Sequence, residues 1–209
     1  MQTNQKLINE MISKGVLQTP KIINAFEKIN RKYFVPKEFA DLTYIDRPLP
    51  IGENQTISQP STVAFMLELL QADQGDTILD IGSGSAWTTA ILCYIVGDTG
   101  TVLGLERVDT LVKIGQNNLA QFHFDNHCKI QKADADSLGI SGKEFDKILV
   151  SASAAEIPSE LFAQLKLNGI LLIPIKNSIF RFKKISETEI KSQEFPGFVF
   201  VPLIVNRKK

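Results

Sequence analysis

Apolar residues along this chain recur in two rhythms. Leu7, Ile8 and Met11 lie at helical spacing within residues 4–13, and Lys14-Gly15 follows them as a basic last turn and a glycine stop. Thr19-Pro20 offers an N-cap and a first-turn proline to a second helix whose apolar face is Ile22, Ile23, Phe26 and Ile29. Val63, Met66, Leu67 and Leu70 repeat at i, i+3, i+4 and i+7 and predict an amphipathic helix over 61–70. Beyond it, short apolar runs alternate with helical stretches. Strands are predicted at 77–81, 101–105, 129–132, 147–150 and 170–175, and helices at 87–96, 109–121 and 158–165, the last ending at Asn168-Gly169. That rhythm is the βαβ pattern of an α/β fold, a doubly wound and mostly parallel sheet with helices on both faces. Residues 179–185 and 197–205 lack a crossover helix, so they predict antiparallel C-terminal strands that finish the sheet, separated by the charged segment 186–194.

Between the second and third helices the periodicity breaks. Pro36, Pro48, Pro50 and Gly52 interrupt residues 33–57, a long irregular stretch of the kind that carries function. No repeat or shift of composition divides the chain, which predicts one domain over 1–209, with helices and a substrate-side loop in 1–60 appended to a core in 61–209. Lys and Arg total 23 and Asp and Glu total 23, so the formal charge is zero and offers no general attraction to nucleic acid or to an anionic membrane. The longest apolar runs, near 91–96 and 198–205, fall short of the roughly 18–20 residues that cross a bilayer. The first ten residues are polar and lack the pattern of a secretory signal, and a monomer in the cytoplasm is the expectation. Of the two cysteines, Cys93 sits in an apolar run as a small core residue, so no disulfide framework is expected, which suits a reducing compartment.

The chemistry concentrates at the predicted strand ends. Ile78-Leu79-Asp80-Ile81-Gly82-Ser83-Gly84-Ser85-Ala86-Trp87 runs from a strand through a glycine turn into a helix, where backbone can approach a ligand closely. Glu106 ends the next strand, at the place where such folds put a carboxylate for ribose hydroxyls; Asp134 follows the third strand and Ser151 the fourth. Trp87 stands where a dinucleotide fingerprint needs a small residue, and Asp80 would repel a pyrophosphate while suiting an ammonium group. An adenosine ligand with an ammonium group and no phosphate answers all of these, and S-adenosylmethionine is that ligand. The alternative is that the glycines make a plain turn and the acids are solvated. His123, His127 and Cys128 flank Asp125-Asn126, which reads as a turn, so no metal site is expected; Arg207-Lys208-Lys209 reads as a solvated end.

Asp-x-Gly-x-Gly followed by an acid after the second strand resembles the Rossmann-like class I methyltransferases. Asp46-Arg47-Pro48-Leu49-Pro50-Ile51-Gly52 and Gln55-Thr56-Ile57-Ser58-Gln59-Pro60 narrow the resemblance to the protein-L-isoaspartate O-methyltransferases. Residues 31–36, Met66-Leu67-Glu68-Leu69-Leu70, Phe145-Asp146, Ala155-Glu156-Ile157-Pro158, Gln164-Leu165-Lys166 and Val201-Pro202-Leu203 extend it across most of the chain. The resemblance implies methyl transfer from S-adenosylmethionine to the free α-carboxylate of isoaspartyl residues in damaged proteins and peptides, whose ester then collapses through a succinimide. It implies Thr56, Ile57 and Ser58 as substrate-binding residues, with Ser58 the active-site serine. Asp80, Gly82, Ser83, Gly84, Ser85, Glu106, Asp134 and Ala135 become the cofactor-binding set. Read from the residues alone, Ser58 is also a candidate N-cap for the 61–70 helix. Three departures from the family pattern stand out: Ala86-Trp87 for Gly-Tyr, Ser61 for His or Tyr, and Ala133-Asp134-Ala135 for Gly-Asp-Gly. They leave open a diverged member that binds protein without methylating it, or a methyltransferase with another acceptor.

Overall fold

The computed structural model describes residues 2–124 and 127–204. The expected turn at Asp125-Asn126, residue 205 of the last expected strand and the basic end at 207–209 lie outside the described residues. Two helices open the chain, α1 (Asn4–Ser13) and α2 (Pro20–Lys28), followed by the hairpin β1 (Leu49–Gly52) and β2 (Gln55–Ile57) and by α3 (Pro60–Leu70). Then come β3 (Thr77–Ile81), α4 (Trp87–Val96), β4 (Thr101–Glu106), α5 (Asp109–Ala120), β5 (Cys128–Lys132), β6 (Phe145–Val150), β7 (Leu165–Ile175), β8 (Ser178–Lys184) and β9 (Ile190–Pro196). The order across the seven-stranded sheet is β5-β4-β3-β6-β7-β8-β9. Strands β3 to β7 pair in parallel, and β8 and β9 pair antiparallel at the edge.

Side-chain alternation sorts the sheet into two faces. Ile78, Val102, Ile130, Leu149, Ile170 and Leu172 belong to one buried cluster with Leu7, Phe26, Leu67, Ile91 and Leu111 from the five helices. Leu79, Ile81, Leu105, Ile148, Val150, Leu171 and Ile173 face the other way, under Leu138 and under Leu161 of the 3-10 helix Ser159–Gln164. Thus α1 and α2 share the core of the sheet's helical face. Glu68 on α3 closes the first turn of α2: one carboxylate oxygen accepts the Gln18 and Thr19 amides at 2.7 and 2.8 Å, the other the Thr19 hydroxyl at 2.6 Å. Strand order reverses direction between β3 and β6, and open sheets of this kind bind ligands outside that switch point.

Four expectations change. The helix expected over 158–165 is a 3-10 helix, and β7 already begins at Leu165. The final strand lies at Ile190–Pro196, in the segment read as a charged separator, because it is an exposed edge strand with no apolar face to announce it. Residues 197–204 are not a strand: Phe198 stacks on Phe65 at 5.1 Å, and the chain returns to the end of β6, where Ser153 bonds the Val201 carbonyl and the Leu203 amide, each at 2.8 Å. Lastly, Cys93 on α4 and Cys128 at the start of β5 form a disulfide, with Cα atoms 6.1 Å apart. Their distance in sequence concealed a contact that the parallel β4–β5 pairing creates, and the cysteine argument for a reducing compartment falls with it. No helix of the described residues is long and apolar enough to cross a membrane.

Candidate active site

At the carboxyl ends of β3, β4 and β6 lies a cleft of about 1030 Å³, counted with its open mouth. Gly82 and Gly84 adopt φ of 85° and 53°, the left-handed region that glycine enters without cost, and so turn the chain from β3 into α4. Leu105 anchors the turn by accepting the Gly82 and Ser83 amides at 2.8 and 3.1 Å, and the Ser85 carbonyl accepts from Asn118 at 3.0 Å. Glu106 is buried at the end of β4; its two carboxylate oxygens accept the Gly84 amide at 2.9 Å and the Val108 amide at 2.8 Å. Both amides therefore aim the carboxylate at the cleft it lines. The hairpin also lines the cleft, through Ile51, Gln55, Thr56, Ile57 and the following Ser58, and a Cβ at Gly84 would come within 3.2 Å of Ile51. Val201, Pro202, Leu203 and Ile204 complete the wall.

The structure brings together Thr56, Ile57, Ser58, Gly82, Ser83, Gly84, Ser85, Glu106 and Asp134 on this one cleft. Asp134 closes a local turn, its Oδ1 accepting the Asp136 and Ser137 amides at 2.7 and 3.2 Å. Asp80 and Ala135 are not on the wall. Asp80 is fully buried behind it, where Oδ2 accepts the Thr89 hydroxyl at 2.6 Å and Oδ1 has no partner. Burial, and then the nearby Glu106 charge, push the Asp80 carboxyl up to about 6, against the Thr89 bond that lowers it. Ser83 Oγ is the other buried oxygen of this loop without a partner. Ser58 is not the N-cap of α3; Gln59 holds that position without a side-chain bond. Asp46 does the capping from the long loop, accepting the Ser61 amide at 2.9 Å and its hydroxyl at 2.5 Å, so Ser61 is turned to Asp46 and is not on the cleft wall. No cluster of three metal-ligating side chains occurs among the described residues.

Arg31 is the residue that the spacing arguments passed over. It is fully buried, and its guanidinium donates to the carbonyls of Thr43, Ile45, Arg47, Ile57 and Ser58 at 2.7, 3.3, 3.1, 3.5 and 3.0 Å. Desolvation lowers its pKa from the ordinary guanidinium range to about 10, with Asp46 opposing. Its Cζ lies 5.3 Å from the centroid of Trp87, which lines the cleft and donates its indole N–H to the Ile29 carbonyl at 3.1 Å. Its signals in the sequence were a charge framed by apolar Ile29 and Phe34 and its place at the head of the family-like segment 31–36, neither of which gave it a role.

The sequence model of the protein-L-isoaspartate(D-aspartate) O-methyltransferase family matches residues 1–208. The chain belongs to that family. The Methanopyrus kandleri protein-L-isoaspartate O-methyltransferase is 34% identical over 96% of this chain and 90% of its own length. That of Petrotoga mobilis is 37% identical over 96% and 95% respectively. A Plasmodium falciparum protein described as a protein-L-isoaspartate O-methyltransferase, solved with S-adenosyl-L-homocysteine, superimposes with a TM-score of 0.87 at 25% identity, over 97% of this chain and 99% of that one. This isoaspartate methyltransferase family member carries Ala86 at φ 74°, buried and off the cleft wall, in a left-handed conformation that glycine enters without cost.

Proposed function

We propose that this chain is a repair enzyme that transfers a methyl group from S-adenosylmethionine to the free α-carboxylate of L-isoaspartyl residues in damaged proteins and peptides. One observation carries the reading: the Thr56–Ser58 segment and the glycine loop with Glu106 line one and the same cleft. The residues fit the donor. Glu106 presents carboxylate oxygens to hydroxyls, Ser83 holds a buried hydroxyl that lacks a partner, and Gly82 and Gly84 keep side chains off the loop. Bound there, S-adenosylmethionine supplies an electrophilic sulfonium methyl.

The protein's own task is positional. A carboxylate with an ordinary pKa near 4 is already an anion at neutral pH, so no general base is required of the chain. Ser58 donates a hydrogen bond that orients the carboxylate, and the hairpin with residues 201–204 excludes water from a step in which opposite charges meet. Of the residues that depart from the family pattern, Ser61, Ala86 and Ala135 are not among those lining the cleft, whereas Trp87 and Ala133 are. Labelled methyl transfer to matched isoaspartyl and aspartyl peptides tests the reading. Isoaspartate-only labelling is expected, with kcat/KM of Ser58→Ala lower by about 10- to 100-fold. Cofactor binding without labelling of either peptide would point to another acceptor.

A further inference from the structure

We propose that Arg31 is a positioning residue for methyl transfer, setting Ser58 at a fixed distance from the cofactor side of the cleft. The inference rests on the reading of Ser58 above and extends it to a residue that touches neither ligand.

Arg31 differs from an ordinary buried arginine in what it holds. Among the described residues, every hydrogen-bond acceptor of its guanidinium is a backbone carbonyl, and those carbonyls come from both ends of the loop between residues 43 and 58. Three belong to the start of the loop, at Thr43, Ile45 and Arg47; the others are Ile57 and Ser58 itself. A planar fork with five donors imposes directions on its acceptors that an ammonium group cannot, so the backbone at Ser58 is held both in place and in orientation. On its other side the same cation lies against Trp87, whose ring forms part of the cleft wall at the start of α4. Trp87 is fixed in turn by the Ile29 carbonyl and by an edge contact with Phe26 at 5.5 Å. One side chain thus spans from the helix that follows the glycine loop to the residue that orients the acceptor.

That placement has an energetic logic. Burying the guanidinium costs desolvation, which its lowered pKa records, and Nε remains without a partner. A loop that needed only to be closed could be closed by apolar packing at lower cost. The arginine is worth keeping if a rigid carbonyl array at Ser58 matters, because a displacement near 1 Å at the reacting groups costs rate by about 100-fold.

The test uses the full chain, with Arg31→Lys and Arg31→Gln, each alone and combined with Ser58→Ala, assayed at a temperature where circular dichroism shows the variant folded. Expected are a kcat on isoaspartyl peptide lower by about 10-fold or more, a KM for S-adenosylmethionine within about twofold of wild type, Arg31→Lys milder than Arg31→Gln, and less than about twofold further loss when Ser58→Ala is added to either. Losses that multiply, or a normal kcat with only a lower Tm, would overturn the proposal and leave Arg31 a structural residue. Trp87 is the chain's single tryptophan, so its emission gives a second readout on the wild type and on any variant too unstable to assay. Isoaspartyl peptide is expected to shift Trp87 emission in wild type and not in Ser58→Ala; no shift in wild type counts against a link from Ser58 through Arg31 to Trp87. Wild-type protein that labels neither peptide would instead overturn the isoaspartate reading, and this proposal with it.

Discussion

Asp80 shows how one side chain can belong to the site's neighbourhood without lining it. Its carboxyl is raised from 3.8 to about 6, chiefly by burial, with Oδ1 left without a partner. A carboxyl raised in the folded state binds more protons folded than unfolded between those values, so its contribution to stability is greatest below 3.8 and is lost as pH climbs through about 6. The gap corresponds to roughly 2–3 kcal/mol. Asp80→Asn, which removes the charge and keeps the Thr89 contact, is therefore expected to raise Tm relative to wild type at pH 8 and to leave it little changed at pH 4.5. Thermal melts of both proteins across that range check it; an increment independent of pH would refute the assignment to ionisation. The sequence placed Asp80 correctly at the end of a strand and before the glycines. Its direction was legible too, since Ile78 and Asp80 share one face by strand alternation, and that face carries the helices. Reading it as a partner for a ligand's ammonium group looked along the chain and not across the sheet.

Among the elements, α3 depends on a residue outside itself. Asp46, fifteen positions upstream, accepts both the amide and the hydroxyl of Ser61 in the first turn. Asp46→Ala removes both acceptors and is expected to cost about 0.5–2 kcal/mol, or a Tm lower by roughly 2–6 °C, with the affinity for S-adenosyl-L-homocysteine retained because Glu106 and the glycine loop are untouched. Calorimetric unfolding and ligand titration on one preparation separate the two, and an unchanged Tm would mean that water caps α3 equally well. Elements with long, one-sided apolar patterns were legible: α1, α3, α4 and the parallel strands β3, β4 and β6 stand within a residue or two of where the spacing put them. The elements that escaped are short or exposed. Hairpin β1–β2 has four and three residues and contains Pro50, too little for a period to register, and β9 is an edge strand most of whose residues are exposed. The cleft itself was legible along its glycine loop and acids, which mark strand ends. The scaffold that carries Ser58 was not, because Arg31 acts through backbone carbonyls, which leave no trace in the side-chain pattern.

Across the whole molecule, one covalent link joins parts that the sequence separates. Cys93 and Cys128 are 35 residues apart, and their bond ties the middle of α4 to the outer strand β5. Constraining a loop of that length in the unfolded chain is worth about 2–4 kcal/mol, so reduction is expected to lower Tm by roughly 4–12 °C. Removing the bond should leave the cleft largely intact, because the glycine loop is held to β4 by the Leu105 carbonyl, Glu106 by backbone amides and Ser58 by Arg31, none of which depends on the disulfide. The distinguishing measurement is therefore paired. Unreduced protein should weigh two hydrogens less than the reduced form, melt higher, and show methyl transfer at 25 °C within about twofold of it, with Cys93→Ala/Cys128→Ala insensitive to reductant in both assays. An intact mass that reductant does not change would remove the bond from the solution structure. A large loss of transfer with an unaltered Tm would move the disulfide from the stability of the fold to the geometry of the site, since α4 begins at Trp87 on the cleft wall.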